Sequence, residues 1–104
     1  MNYKNVKKIA FKNDIYKRRR GGDSKLLAIR CQKCKSFICF YQKDGHGGLF
    51  RLYLDRMCEP TVLISGKELI CPNGHILAVA MIYEKENRPA FRLFEHSVSK
   101  KLVK

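Results

Sequence analysis

Two short stretches constrain this chain more than any others: Cys31-Gln32-Lys33-Cys34 and, after 36 intervening residues, Cys71-Pro72-Asn73-Gly74-His75. Each sets two soft ligand atoms on a tight turn, and the chain between them is long enough for several strands. That is what a tetrahedral metal site needs from a sequence. Two sulfurs on one Zn²⁺ sit roughly 3.7 Å apart, given a Zn–S bond of about 2.3 Å, and a C-x-x-C turn brings both thiolates to one side of the backbone. The second group is one residue longer. Asn73-Gly74 stands at its bend, where positive φ is tolerated, and Pro72 fixes φ just after the first ligand. A structural Zn²⁺ held by Cys31, Cys34, Cys71 and His75 is therefore expected. Reduced structural or redox cysteines and disulfides are the competing readings. A redox C-x-x-C usually opens a helix in a βαβ unit, whereas this one lies between 26–30 and 37–41, both of strand composition.

On these residues the chain resembles the zinc-ribbon superfamily, in which two knuckles at hairpin tips clasp one metal. Cys31-x2-Cys34 matches the first knuckle. Cys71-Pro72-x-Gly74-His75 is similar to a C-P-x-C-G knuckle whose second ligand has moved one place on and become histidine, and Lys35 stands where glycine is common. The spacing also resembles the larger β-tent zinc folds. The resemblance covers residues 26 to about 83 and implies a fold and a metal, not an activity.

At 104 residues the chain is expected to form one body with a thin stability margin. Five cysteines is an odd number, and no apolar signal region precedes a cleavage site, so a disulfide scaffold is not expected. A cytoplasmic location is, or a nuclear one in a eukaryote. The longest apolar run, 76–83, is far short of the about 20 residues of a membrane span.

The net charge of +13 attracts polyanions. Much of it is local: residues 1–25 carry nine Lys or Arg against Asp14 and Asp23. This segment reads as a basic, partly flexible N-terminal arm, with Lys17, Arg18, Arg19 and Arg20 running into Gly21-Gly22, and with Ile9, Phe11, Ile15 and Tyr16 able to dock part of it as an edge strand. Residues 26–104 read as a small, mainly β, antiparallel domain built around the two-knuckle site.

Within that domain 37–42 is apolar on both faces, which predicts a central strand. Cys39 is expected in the core, while Cys58 lacks a partner at knuckle spacing. The loop 44–48 is glycine-rich and carries His46. Residues 49–57 fit strand slightly better than helix, leaving Arg51, Asp55 and Arg56 in apolar surroundings. These form either a partly buried salt bridge or a basic face with Tyr53 as a stacking platform. A hairpin over 61–64 and 68–71 leads into the second knuckle. The strand 76–83 is expected to bury Leu77, Val79, Met81 and Tyr83 in the main core. A further strand at 90–95 ends at a surface His96, and 97–104 is a short strand or a basic tail.

Three functions follow. A non-enzymatic zinc module binding nucleic acid, RNA in preference, would use Lys17, Arg18, Arg19, Arg20, Arg51, Tyr53 and Arg56. An assembly factor would direct the charge at an acidic protein partner. An enzyme would need an open metal position or thiol chemistry, and the sequence places no acidic residue beside either knuckle to act as a base. The oligomeric state is not legible.

Overall fold

The computed structural model describes residues 11–58 and 63–103, with backbone only for 63–65. The architecture is mainly β, with two antiparallel sheets. In one sheet the strand order is β4 (Met57–Cys58), β2 (Phe37–Asp44), β1 (Ser24–Cys31), β9 (Val98–Leu102). In the other it is β3 (Arg51–Tyr53), β8 (Arg88–Leu93), β7 (Ile76–Tyr83), β6 (Glu68–Ile70), β5 (Leu63–Ser65).

The inner positions of β1 and β2 explain their composition. Both are apolar on both faces because both faces are covered. Leu27, Ile29, Cys39 and Tyr41 join Leu52, Leu69, Leu77, Ala78 and Phe91 of the other sheet in the main core. On the opposite face Leu26, Ala28 and Phe40 form a second cluster, covered in part by Phe11, Phe37, Cys58 and Val103. The two sheets thus share one core, while the N-terminal segment seals the back of the first.

That segment is docked over its described part, and as a helix rather than the expected edge strand. Asp14 caps a short helix α1 (Ile15–Arg19), accepting the Lys17 amide at 3.1 Å, and Lys17, Arg18 and Arg19 lie in its last turn, where the helix dipole favours cations. Period-two alternation is absent here, and the Asx cap decides the local structure instead. Gln42 holds the entry by accepting from the Lys12 amide at 2.7 Å and donating to the Lys12 carbonyl at 3.0 Å. The Gly45 amide donates to the Asp23 carbonyl at 2.8 Å. Ile9, and the rest of 1–10, lies outside the described residues.

Two other expectations change. Residues 49–57 are neither one strand nor one helix: β3 gives way to a 3-10 turn, Leu54–Arg56, before β4 joins the other sheet. The mixed periodicity recorded a chain that crosses between sheets. In β7 only Leu77 and Ala78 are buried, while Val79, Met81 and Tyr83 are half-buried. β6 pairs with β7 only as far as Val79, so the remainder is a ribbon shared with β8 alone. The hairpin before the second knuckle is present as β5 and β6; residues 61 and 62 lie outside the described residues.

A candidate metal centre and the buried ion-pair cluster

Both knuckles are closed by backbone hydrogen bonds that the turn residues permit. In the first, the Cys31 amide donates to the Ser36 carbonyl and the Lys35 amide to the Cys31 carbonyl, each at 2.9 Å. Lys35 turns the chain with φ of 63°, in the left-handed region that favours glycine. In the second, the Cys71 amide donates to the His75 carbonyl and the Gly74 amide to the Cys71 carbonyl, again at 2.9 Å, with Gly74 at φ of 88°. The extra residue of this knuckle is absorbed at that glycine. It also lets the His75 amide donate to Cys71 Sγ at 3.3 Å.

The two turns bring Cys31, Cys34, Cys71 and His75 together, with all four ligand atoms within 4.8 Å of one another. Cys34 Sγ lies 3.7 Å from Cys71 Sγ, and His75 Nδ1 lies 3.2 Å from Cys71 Sγ and 3.5 Å from Cys31 Sγ. This group can hold a metal ion. All five cysteines are free, so no disulfide competes for the sulfurs. Cys31 and Cys71 are buried, while Cys34 and His75 are half-buried.

The thiols are poised unequally. The Ser36 hydroxyl, the Asn73 amide group and the Ser36 amide lower the Cys34 pKa to about 5. Burial pushes that of Cys31 up, against the pull of the Cys34 and Lys33 amides. Of these two, the thiolate therefore forms first at Cys34, and a bound cation would favour the thiolate at Cys31 as well. Asn73 donates to Ser36 Oγ at 3.0 Å, a bond that links the two knuckles beside that sulfur.

The other cysteines and histidines stand apart from this group. Cys39 is in the core, where burial and then Cys58 raise its pKa to about 12. Cys58 packs on the second cluster, 3.8 Å from the Arg56 carbonyl. His46 and His96 are exposed beside Asp23 and Glu95. Folding does bring an acid near the knuckles, which no local feature of the sequence signals. Glu95 and His96 line a cavity of about 200 Å³ with Cys31 and His75, but both point to solvent and pair with each other at 3.3 Å.

The basic residues singled out in the sequence divide. Arg18 and Arg19 are exposed; Lys17 is half-buried and donates to Asn13 at 2.7 Å. Arg20 is bidentate to Glu86, at 2.7 and 2.9 Å, and donates to the Tyr53 hydroxyl at 3.1 Å. Arg51 stacks on Tyr83 at 4.3 Å and reaches the Tyr53 hydroxyl at 3.4 Å.

Tyr53 and Arg56 are not on a face. Tyr53 is buried, its ring covered by the Arg88 guanidinium at 3.8 Å, so it has no free surface on which to stack a base. Arg56 is buried, with Nε donating to Asp44 at 2.9 Å and Nη2 to Asp14 at 2.6 Å. Arg88, which the sequence reading passed over, is buried on Asp55 at 2.7 Å and Glu86 at 3.1 Å. Arg20 and then Arg88 hold the Glu86 carboxyl below its usual range, the effect of burial notwithstanding. The cluster ties the N-terminal segment to both sheets, which is the salt-bridge alternative for Arg56 and Asp55.

No protein-family model matches this chain, and neither a curated protein nor a solved structure matches it.

Proposed function

We propose that the protein is a non-enzymatic zinc-binding module that binds nucleic acid, RNA in preference, through its excess positive charge. The observation that carries the reading is the four-ligand Cys3His group within a chain of net charge +13. Tetrahedral Zn²⁺ with Zn–S of about 2.3 Å and Zn–N of about 2.0–2.1 Å requires S···S near 3.7 Å and S···N near 3.5 Å. The separations of 3.7, 3.5 and 3.2 Å fit it. Bound there, zinc would tie the tip of the β1–β2 hairpin to that of β6–β7. Four protein ligands leave no position for a reacting water, which favours a structural role over a hydrolytic one. Apparent zinc affinity in small Cys/His sites is about 10–16 kcal/mol, as large as the net stability of a typical domain.

Among the described arm residues singled out above, Arg18 and Arg19 are exposed and Lys17 half-buried, with Arg19 also 3.8 Å from Glu86; these are the three that can still reach phosphates. A test is the binding of a fluorescent single-stranded RNA measured from 50 to 300 mM salt. The reading expects a steep fall of affinity with salt, and a shallower fall in Lys17→Gln/Arg18→Gln/Arg19→Gln. Substitution is preferable to deletion because Asp14 and Arg20 hold the body together. Affinity indifferent to salt overturns the reading. The alternative, an acidic protein partner, predicts complexes that survive nuclease treatment and are lost on chelation.

A further inference from the structure

Lys25, Lys43 and Lys100 converge on one face of the β9–β1–β2 sheet. Lys25 is directly opposite Lys43 in the β1–β2 ladder, and Lys100 is opposite Ile29 in the β1–β9 ladder. Like charges placed opposite one another destabilise a sheet. Here the three lysines line a single cleft of about 280 Å³ without an acidic residue in its wall. None of the three makes an ion pair among the described residues. Lys43 donates only to the Gly45 carbonyl, at 3.3 Å, and burial, then Lys100 and Lys25, push its pKa down. An anion in the cleft would remove that conflict.

The loop 44–48 forms the rim. Among the described residues the amides of His46, Gly47 and Gly48 make no hydrogen bond, which leaves three backbone donors beside the lysines. Beyond the rim lies a second cavity of about 280 Å³, sharing Lys43, His46 and Gly47 with the first and walled by Arg51 and Phe50. Phe50 is 70 % exposed, the highest value among the large apolar side chains of the described residues. Its ring lies where a side chain on Gly48 would stand, 2.8 Å from the Cβ position. The glycine thus gives the ring a backbone shelf and leaves the rest of it open.

We propose that this loop is crossed by single-stranded RNA, with phosphates held by Lys25, Lys43, Lys100 and the loop amides, and a base stacked on Phe50. The inference rests on the RNA reading above and adds to the arm's phosphate contacts an interface on the body. Phosphate spacing on a flexible strand suits two adjoining clefts, and every base has a face to offer an aromatic ring, so little sequence preference is expected.

The zinc-loaded full chain, titrated with fluorescein-labelled 12-mer oligouridylate, tests it. Lys25→Gln/Lys43→Gln/Lys100→Gln should flatten the plot of log K against log salt by about 2, three contacts at about 0.7 each. Phe50→Ala should weaken binding about 10- to 100-fold and leave that slope unchanged. Zinc content and circular dichroism equal to wild type show that both variants fold. If wild type binds steeply with salt but neither variant changes anything, this interface is wrong and the RNA reading stands. Absence of wild-type binding overturns both. A 12-mer duplex bound as tightly as the single strand, with Phe50→Ala silent, overturns the stacking role.

Discussion

Replacing Arg56 by methionine probes the ion-pair cluster at its most enclosed point. Methionine keeps the volume of the arginine stem, so the change falls mainly on the two carboxylates left behind. Asp44, 4 % exposed at its side chain, keeps the bonds to its Oδ1 from Ser24 at 2.6 Å and Gln42 at 2.9 Å. Its Oδ2 loses the Arg56 Nε bond. Asp14, 35 % exposed, is solvated more easily and keeps the Lys17 amide. Among the described residues Arg56 Nη1 is buried with no hydrogen-bond partner, only the Asp55 carboxylate at 3.9 Å, so its removal relieves a small cost. Breaking a buried pair costs about 3–5 kcal/mol, and these residual bonds place Arg56→Met at the lower end, about 3 kcal/mol. The corresponding fall in Tm is on the order of 15 °C. Guanidinium unfolding of the zinc-loaded protein, followed by circular dichroism, should show a lower midpoint at unchanged slope. A loss under 1 kcal/mol would refute the reasoning, since the cluster would then not be what holds the N-terminal segment.

Glu86→Gln should cost about 3 kcal/mol at neutral pH, because Arg20 and Arg88 both lose a charged partner. Since the folded Glu86 pKa lies below the ordinary glutamate range, its contribution is fully present above that range and is lost as pH falls from it through the folded pKa. The gap between wild type and Glu86→Gln in urea unfolding should therefore narrow from pH 5.5 to pH 4, and a constant gap counts against the assignment. Lys35→Gly should stabilise the protein by about 1 kcal/mol, since φ of 63° is strained for lysine and free for glycine; a fall in Tm would contradict it. Cys39→Ala and Cys58→Ala should each leave metal stoichiometry unchanged while His75→Ala weakens metal binding, as followed by competition with a chromophoric chelator.

What the sequence carried best was short-range. Ligand spacing and turn chemistry are local properties, so the four members of the metal group could be read from Cys-x-x-Cys and Asn73-Gly74 without knowing the fold. The two-faced apolar run at 37–42 likewise announced an inner strand. A partly buried salt bridge among Arg51, Asp55 and Arg56 is legible as one of two readings, but the distant partners are not. Arg56 meets Asp14 across 42 residues, and Arg20 meets Glu86 across 66. A charged side chain gives no local sign of which partner will close over it, so the sequence leaves Arg56 open between a buried salt bridge and a basic face with Tyr53. The lysine cleft was hidden for the same reason, because Lys100 comes beside Lys43 only when β9 pairs with β1.

X-ray absorption at the metal edge of protein purified without added chelator tests the central claim most directly. One zinc per chain, with three sulfur neighbours at about 2.3 Å and one nitrogen at about 2.0–2.1 Å, is the expected result. Protein that folds fully without metal, or a metal with an oxygen ligand in place of His75, would contradict it.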